Sequence, residues 1–286
     1  MKFIKYFFEY IIIKSLFLFF KLIGYERSSN LGEKIGKIFG PLFRSKKLIL
    51  ENLRFSKIGN DDKDRLKILE EMWGNYGRIF SEYPFIEKFK YGNLHNFINI
   101  NGQDILVEIL KNKTQVIFIS GHFSNFELMA QHIEKSNIKL AAIYRPLNNF
   151  FLNNTMEEIR KKFICKKQIK KGLSGTREVL KHINDGYSIA LMIDQRVSEG
   201  IKVDFFNRKA LTTTIPAQLI KKYKLNVVPV HIERQNKHYF NLCFNKPIIF
   251  DPSDDVEKIT LKLNKNLEKM ILKNPSQWIW SHNRWK

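Results

Sequence analysis

Val116-Ile117-Phe118-Ile119-Ser120-Gly121-His122-Phe123-Ser124-Asn125-Phe126-Glu127 is the stretch on which the reading of this chain turns. The four apolar residues form a run that suits a buried strand, and Ser120-Gly121 closes it. His122 then falls in the turn after the strand, and Glu127 follows five positions later, on the expected first turns of a helix. Open α/β sheets build their sites at this place, outside the carboxyl ends of their strands. A neutral imidazole can take a proton from a substrate hydroxyl, and a carboxylate on its other nitrogen fixes the tautomer and steadies the imidazolium. His122 is therefore the candidate general base and Glu127 its candidate orienting acid, for acyl transfer to an alcohol. The bland alternative is a capping histidine followed by a first-turn glutamate that the helix dipole favours.

Outward from this block, strands and helices alternate. Apolar or alternating segments predict strands at about 97–100, 115–120, 140–144, 188–193, 226–232 and 239–244. Helical periodicity covers about 102–111, 124–135, 150–163, 174–185, 213–223 and 255–273. This order predicts an α/β fold: a mixed, largely parallel sheet flanked by helices, with some antiparallel pairing late in the chain. Residues 28–90 read as helical, with Asp61-Asp62 capping a long amphipathic helix that carries Leu66, Leu69, Met72, Trp73 and Tyr76. No internal repeat and no Pro- or Gly-rich linker divides the chain.

Residues 3–23 are mostly apolar and aromatic, and about 20 residues suffice to span a bilayer. Lys5, Glu9, Lys14 and Lys21 interrupt the run, and a lysine near the middle costs roughly 2.5–3.5 kcal/mol on insertion scales unless it snorkels. No small-residue cleavage site follows. The segment reads as an uncleaved anchor, either one span or a deeply seated interfacial helix, with a core helix as the alternative. Lys-rich sequence after it argues for a body on the cytoplasmic side. The expected partition is an anchor helix at 1–24 and a catalytic domain at 25–286, itself a helical lead-in at 25–94 and an α/β core at 95–286.

The 286 residues include 49 Lys+Arg against 28 Asp+Glu, a formal charge of +21. Such a field attracts polyanions: nucleic acid, an anionic membrane surface, or an acidic carrier protein. The excess is 37 Lys to 12 Arg, and Arg forks are the better readers of phosphates and bases, so nucleic acid is not the expected partner. Cys165 and Cys243 stand apart without metal-ligand neighbours, which argues against a zinc site or disulfide framework.

Two further strand ends carry polar residues. Tyr144-Arg145-Pro146 ends the strand after the His122 block, Arg160 falls on the helix that follows, and Arg suits a phosphate or carboxylate. Asp194-Gln195-Arg196 closes the apolar run 187–193. Phe205-Phe206 could form an acyl-chain wall. Lys170–Thr176 has only the outline of a phosphate loop and reads as a basic turn before a helix. A serine nucleophile elbow and a metal-spaced His pair are both missing, so a covalent acyl-enzyme and a metalloenzyme lose ground.

Taken together, His122-x-x-x-x-Glu127, Tyr144-Arg145-Pro146, Arg160, Asp194-Gln195-Arg196, Phe205-Phe206 and the tail Pro275-Ser276-Gln277-Trp278-Ile279-Trp280-Ser281-His282-Asn283-Arg284-Trp285-Lys286 resemble the lipid A biosynthesis (lauroyl/myristoyl) acyltransferase family, within the lysophospholipid acyltransferase superfamily. The resemblance runs over nearly the whole chain. It implies a glycerolipid-acyltransferase-like fold behind an N-terminal hydrophobic anchor helix, at the bacterial inner membrane. It implies an O-acyltransferase without cofactor or metal, moving a fatty acyl chain from an acyl carrier protein or coenzyme A thioester to a hydroxyl of a lipid A precursor. It also implies His122 and Glu127 as catalytic residues, with Arg145, Arg160, Asp194, Gln195 and Arg196 toward the substrate. Asp194-Gln195-Arg196 departs from the Asp-His-Asp of some lipid A enzymes, which leaves open a lysophospholipid, aminolipid or mannosyl lipid acceptor. A non-catalytic basic membrane protein that binds anionic lipid or nucleic acid is the alternative of another class.

Overall fold

The computed structural model describes residues 2–286. Four helices lead in: α1 (Lys2–Ile23), α2 (Tyr25–Phe43), α3 (Lys46–Phe55) and α4 (Asp62–Glu82). Asp61 caps α4 by accepting from Asp64 N at 2.8 Å, as the Asp pair suggested. The backbones of α2 and α4 lie against each other, because a Cβ on Gly77 would meet the Gly32 carbonyl oxygen at 1.9 Å. After the short α5 (Ile86–Tyr91), strands and helices alternate: β1 (Ile98–Asn101), α6 (Gln103–Lys111), β2 (Val116–Ser120), α7 (Glu127–Lys135), β3 (Leu140–Tyr144) and α8 (Phe150–Ile159). A π-helical turn, Arg160–Ile164, extends α8. Then come β4 (Lys167–Lys170), α9 (Leu173–Asn184), β5 (Ser188–Met192), β6 (Ile201–Phe205), β7 (Arg208–Thr212), α10 (Ile215–Tyr223), β8 (Asn226–Gln235), β9 (Tyr239–Phe244) and α11 (Val256–Lys273).

Seven strands form one sheet in the order β1-β9-β8-β2-β5-β3-β4. Every neighbouring pair is parallel except β8 with β9, so the expectation of a mostly parallel sheet flanked by helices holds. All five residues of β2 are buried, as a central parallel strand requires. The β6–β7 hairpin stands apart from the sheet and turns through Phe206 and Asn207, both at positive φ (51° and 58°). One continuous apolar core runs from Phe20 in α1 to Trp280 in the tail.

The spanning-anchor expectation is corrected. Among the described residues no helix is long and apolar enough to cross a membrane. The charges Lys2, Lys5, Glu9, Lys14 and Lys21 are spread along α1, so no stretch of spanning length is free of them. Part of the helix is also committed to the body: Phe20 is buried, Phe17 packs on Phe80 and Tyr83, and Tyr10 meets Phe151. Its other side leaves Ile4, Phe8, Ile12 and Leu22 exposed, and α2 leaves Ile38, Phe39, Leu42 and Phe43 exposed.

Candidate active site

β2 and β5 are parallel neighbours in a register that pairs Ser120 with Met192, and Ile193 N donates to Ser120 O at 2.9 Å. Two residues beyond each partner stand His122 and Asp194, so the sheet itself sets them side by side. His122 Nδ1 is 2.8 Å from Asp194 Oδ1. A carboxylate only accepts, so the imidazole proton sits on Nδ1 and Nε2 is left with its lone pair. Asp194 Oδ2 accepts two further bonds, from His122 N at 2.7 Å and from the Trp278 indole at 3.0 Å. Gly121 allows this approach, since a Cβ there would lie 3.2 Å from Asp194 Oδ2. The Asp194 side chain is 0 % exposed and that of His122 is 21 % exposed, which is buried charge behind a reachable base.

Burial on its own would depress the His122 pKa, but the charge of Asp194 and its hydrogen bond outweigh burial and hold the imidazole above its ordinary value, with Glu127 acting in the same direction. Burial pushes the Asp194 carboxyl upward, yet the His122 charge and the donated hydrogen bonds hold it below the usual carboxylate range.

The carboxylate that meets the imidazole is thus Asp194, whereas the sequence pointed to Glu127. Residues 121–126 form an irregular loop, α7 begins only at Glu127, and its carboxylate turns to Arg160, whose Nε donates to Glu127 Oε1 at 2.8 Å. This pair is largely buried, at 16 % and 8 % side-chain exposure, and the Arg160 guanidinium lies over the Tyr144 ring. Glu127 therefore holds Arg160 in place, and both side chains line the cavity that His122 borders.

The loop between β2 and α7 is held at several points. Ser124, at φ 40°, donates its N–H to Gln277 O at 3.0 Å, and Asn125 Nδ2 donates to Glu82 Oε2 at 3.1 Å. Glu82 is fully buried at the end of α4, where Arg234 grips it with both guanidinium nitrogens at 2.6 and 2.9 Å and Ser29 Oγ donates at 2.7 Å. The helical lead-in therefore shapes the loop that carries His122.

A cavity of about 520 Å³ opens beneath His122. Phe118, Met129, Ala130, Ile133, Ile164, Ala190 and Val230 give it an apolar interior between the sheet and the helices, and Arg44, Arg145, Lys171 and His282 line it as well. That volume and lining suit a small-molecule site. Arg145 and Gln195 line it as the sequence suggested, and Arg145 has no carboxylate within ion-pair distance among the described residues. Arg196 does not line it: its N donates to His282 Nε2 at 2.9 Å and its Nε to Lys286 O at 3.1 Å, which ties the β5 loop to the tail. Phe205 and Phe206 do not form its wall either, because they pack against Trp278, Trp280 and Trp285. Sequence reasoning passed over Arg44, and it took Lys171 as part of a basic turn and His282 as part of the tail without bringing either to the site; the fold brings all three to the cavity.

His122, hydrogen-bonded to the buried Asp194, thus lies on the lining of a cavity with a largely apolar interior. The model of the bacterial lipid A biosynthesis acyltransferase family matches residues 1–286. Lipid A biosynthesis acyltransferase 2 of Shigella flexneri is 24% identical over 183 residues, 63% of this chain and 58% of that protein, so this match spans less than two thirds of that relative. The lipid A biosynthesis myristoyltransferase of Escherichia coli K12 is 20% identical, covering 86% of this chain and 77% of its own. The palmitoleoyltransferase of the same strain is 21% identical over 90% of this chain and 84% of its own. The chain belongs to the bacterial lipid A biosynthesis acyltransferase family, a family of O-acyltransferases.

Proposed function

We propose that the protein transfers a fatty acyl chain from a thioester, carried by acyl carrier protein or coenzyme A, to a hydroxyl of a lipid A precursor. One arrangement carries this reading: His122, 2.8 Å from the buried Asp194, on the lining of a 520 Å³ cavity with an apolar interior and several cationic side chains. His122 Nε2 takes the proton of the acceptor hydroxyl as its oxygen attacks the thioester carbonyl. Asp194 steadies the imidazolium that results. When the tetrahedral intermediate collapses, the carbon–sulfur bond breaks and the imidazolium returns the proton to the leaving thiolate. The thioester is already activated, so positioning and a base suffice without a covalent enzyme intermediate.

Glu127 holds Arg160 in place beside the pair. Arg145, with Arg44 and Lys171 on the same cavity, attracts the phosphates of the acceptor or the acidic donor, as the +21 body does at longer range. The protein works on the cytoplasmic side of the bacterial inner membrane. The exposed apolar residues of α1 and α2 seat it in the interface without a span.

The test is transfer by the purified protein from each donor thioester to a Kdo-bearing lipid A precursor and to a lysophospholipid, read by mass spectrometry. The reading expects one acyl mass added to the lipid A precursor as an ester. Acylation of the lysophospholipid alone would overturn the choice of acceptor, and transfer to neither acceptor from either thioester would overturn the reaction.

A further inference from the structure

We propose that Trp278 is a positioning residue for the His122–Asp194 pair: its indole N–H occupies a lone pair of Asp194, fixing the carboxylate and limiting how strongly it draws the imidazole proton. The inference rests on the reading of His122 as the base. Trp278 lies in the tail after α11, remote in sequence from both members of the pair. Its Nε1 donates to Asp194 Oδ2 at 3.0 Å, and its side chain is almost wholly buried. Trp280 and Trp285, in the same tail, donate to the main-chain carbonyls of Pro275 and Phe205 at 2.7 and 3.0 Å, as indoles in a packing role do. Trp278 alone among the tail tryptophans donates to a carboxylate, and that carboxylate is the partner of His122.

The position of the indole is built, not incidental. Gln277, the residue before it, is clamped to β8: Arg234 N donates to Gln277 Oε1 at 2.7 Å, and Gln277 Nε2 donates to Arg234 O at 2.9 Å. The Gln277 carbonyl accepts from Ser124 N in the His122 loop, so the tail and the loop share a fixed point. On the other side, Asn52 Nδ2 of α3 donates to Trp280 O at 2.9 Å and His282 O at 3.2 Å. The Trp278 and Trp280 rings meet edge to face at 4.7 Å.

The chemistry follows from competition for one carboxylate. Oδ2 serves His122 N and the indole and lies 3.1 Å from His122 Nδ1, while Oδ1 is the nearer oxygen to that nitrogen at 2.8 Å. A donor on Oδ2 withdraws charge from the carboxylate as a whole. Without it the carboxylate binds the Nδ1 proton more tightly and favours the imidazolium more, so the base becomes protonated at a higher pH. The carboxylate also loses one of its two Oδ2 anchors, so the imidazole is less well aimed. The other groups that act on this pair are Glu127 and Arg160 on the side of His122, with Tyr76 of α4, His282 and Arg284 around Asp194. All of these groups are retained when the indole N–H alone is removed.

The test replaces Trp278 in the full-length protein in two ways. Benzothienylalanine keeps the ring shape with sulfur in place of the N–H, and Trp278→Phe is the genetic version. The ionisation of His122 is followed by NMR of labelled imidazole, with its resonance identified by its loss in His122→Gln. The expected result is a His122 titration displaced upward by about half to one pH unit. With it, kcat falls about tenfold or more while KM stays within about twofold. An unmoved His122 titration in the benzothienylalanine protein overturns the proposal. A loss of kcat that tracks thermal stability without that displacement assigns Trp278 to packing and overturns it too. The NMR reading is independent of whether His122 is the base, a point settled separately by turnover of His122→Ala.

Discussion

Asp194→Asn changes one atom and should disable the base. Oδ2 faces two donors, His122 N at 2.7 Å and Trp278 Nε1 at 3.0 Å, so the oxygen of an asparagine must stay there. Its NH₂ then takes the place of Oδ1, 2.8 Å from His122 Nδ1. A donor at that nearer point favours Nδ1 as an acceptor, the more so because the oxygen 3.1 Å away already serves two N–H groups, and it moves the imidazole proton to Nε2, the nitrogen that must receive the substrate proton. The reverse rotamer is worse, because it sets the NH₂ against two N–H groups in a fully buried site. The wrong tautomer costs about 10⁴-fold in the best-studied Asp–His pair, so the expected loss in kcat is about 10³–10⁴-fold, or about 4–5.5 kcal/mol. KM should change little, since Asp194 does not line the cavity. The assay is thiol release from the acyl thioester in the presence of acceptor, with circular dichroism to establish the fold. A folded Asp194→Asn protein within tenfold of wild-type kcat would refute the assignment of Asp194 as the orienting acid.

Three further outcomes follow from the same geometry. The base works only when neutral, and its pKa is held above the ordinary imidazole value of about 6.5, so kcat/KM should decline with falling pH through an acid limb centred above that value; a limb centred well below it would count against the Asp194 interaction. Glu127→Ala strands a largely buried Arg160, which should cost up to about 3 kcal/mol of stability, seen in thermal unfolding, and should move the acid limb downward because a negative charge near His122 is lost; unchanged stability and pH profile would mean that the Glu127–Arg160 pair is idle. Replacing Ile4, Phe8, Ile12 and Leu22 with serine should weaken partition onto anionic vesicles at least about tenfold, measured by co-sedimentation; undiminished binding would place the membrane contact elsewhere.

The block from Val116 to Glu127 was legible because its signals are local: an apolar run, a breaker, a polar turn. The alternation beyond it suffices for a parallel sheet, and its strands formed within a few residues of where the periodicity put them. Which carboxylate meets His122 was not legible from spacing. Glu127 is five residues from His122 in sequence, but the loop turns it toward Arg160, whereas Asp194 arrives from 72 residues away through the β2–β5 register. Strand order is a tertiary choice, and no periodicity reports it. The β6–β7 hairpin hid for a related reason: its turn uses Phe206 and Asn207 at positive φ where an Asn-Gly signal would be expected. The short β4, with one buried residue in four, carries too little apolar pattern to stand out. At the N-terminus hydropathy overstated the anchor, because the aromatic residues of α1 serve both the core and the exposed face.

The central claim is that His122 removes the proton of the acceptor hydroxyl, and transfer by purified His122→Ala tests it most directly. The protein should keep its fold and thioester binding, and the rate of ester formation on the acceptor, read by mass spectrometry above neutral pH, should fall by about 10²–10⁴-fold. Ester formation within tenfold of the wild-type rate by the folded variant would contradict the account.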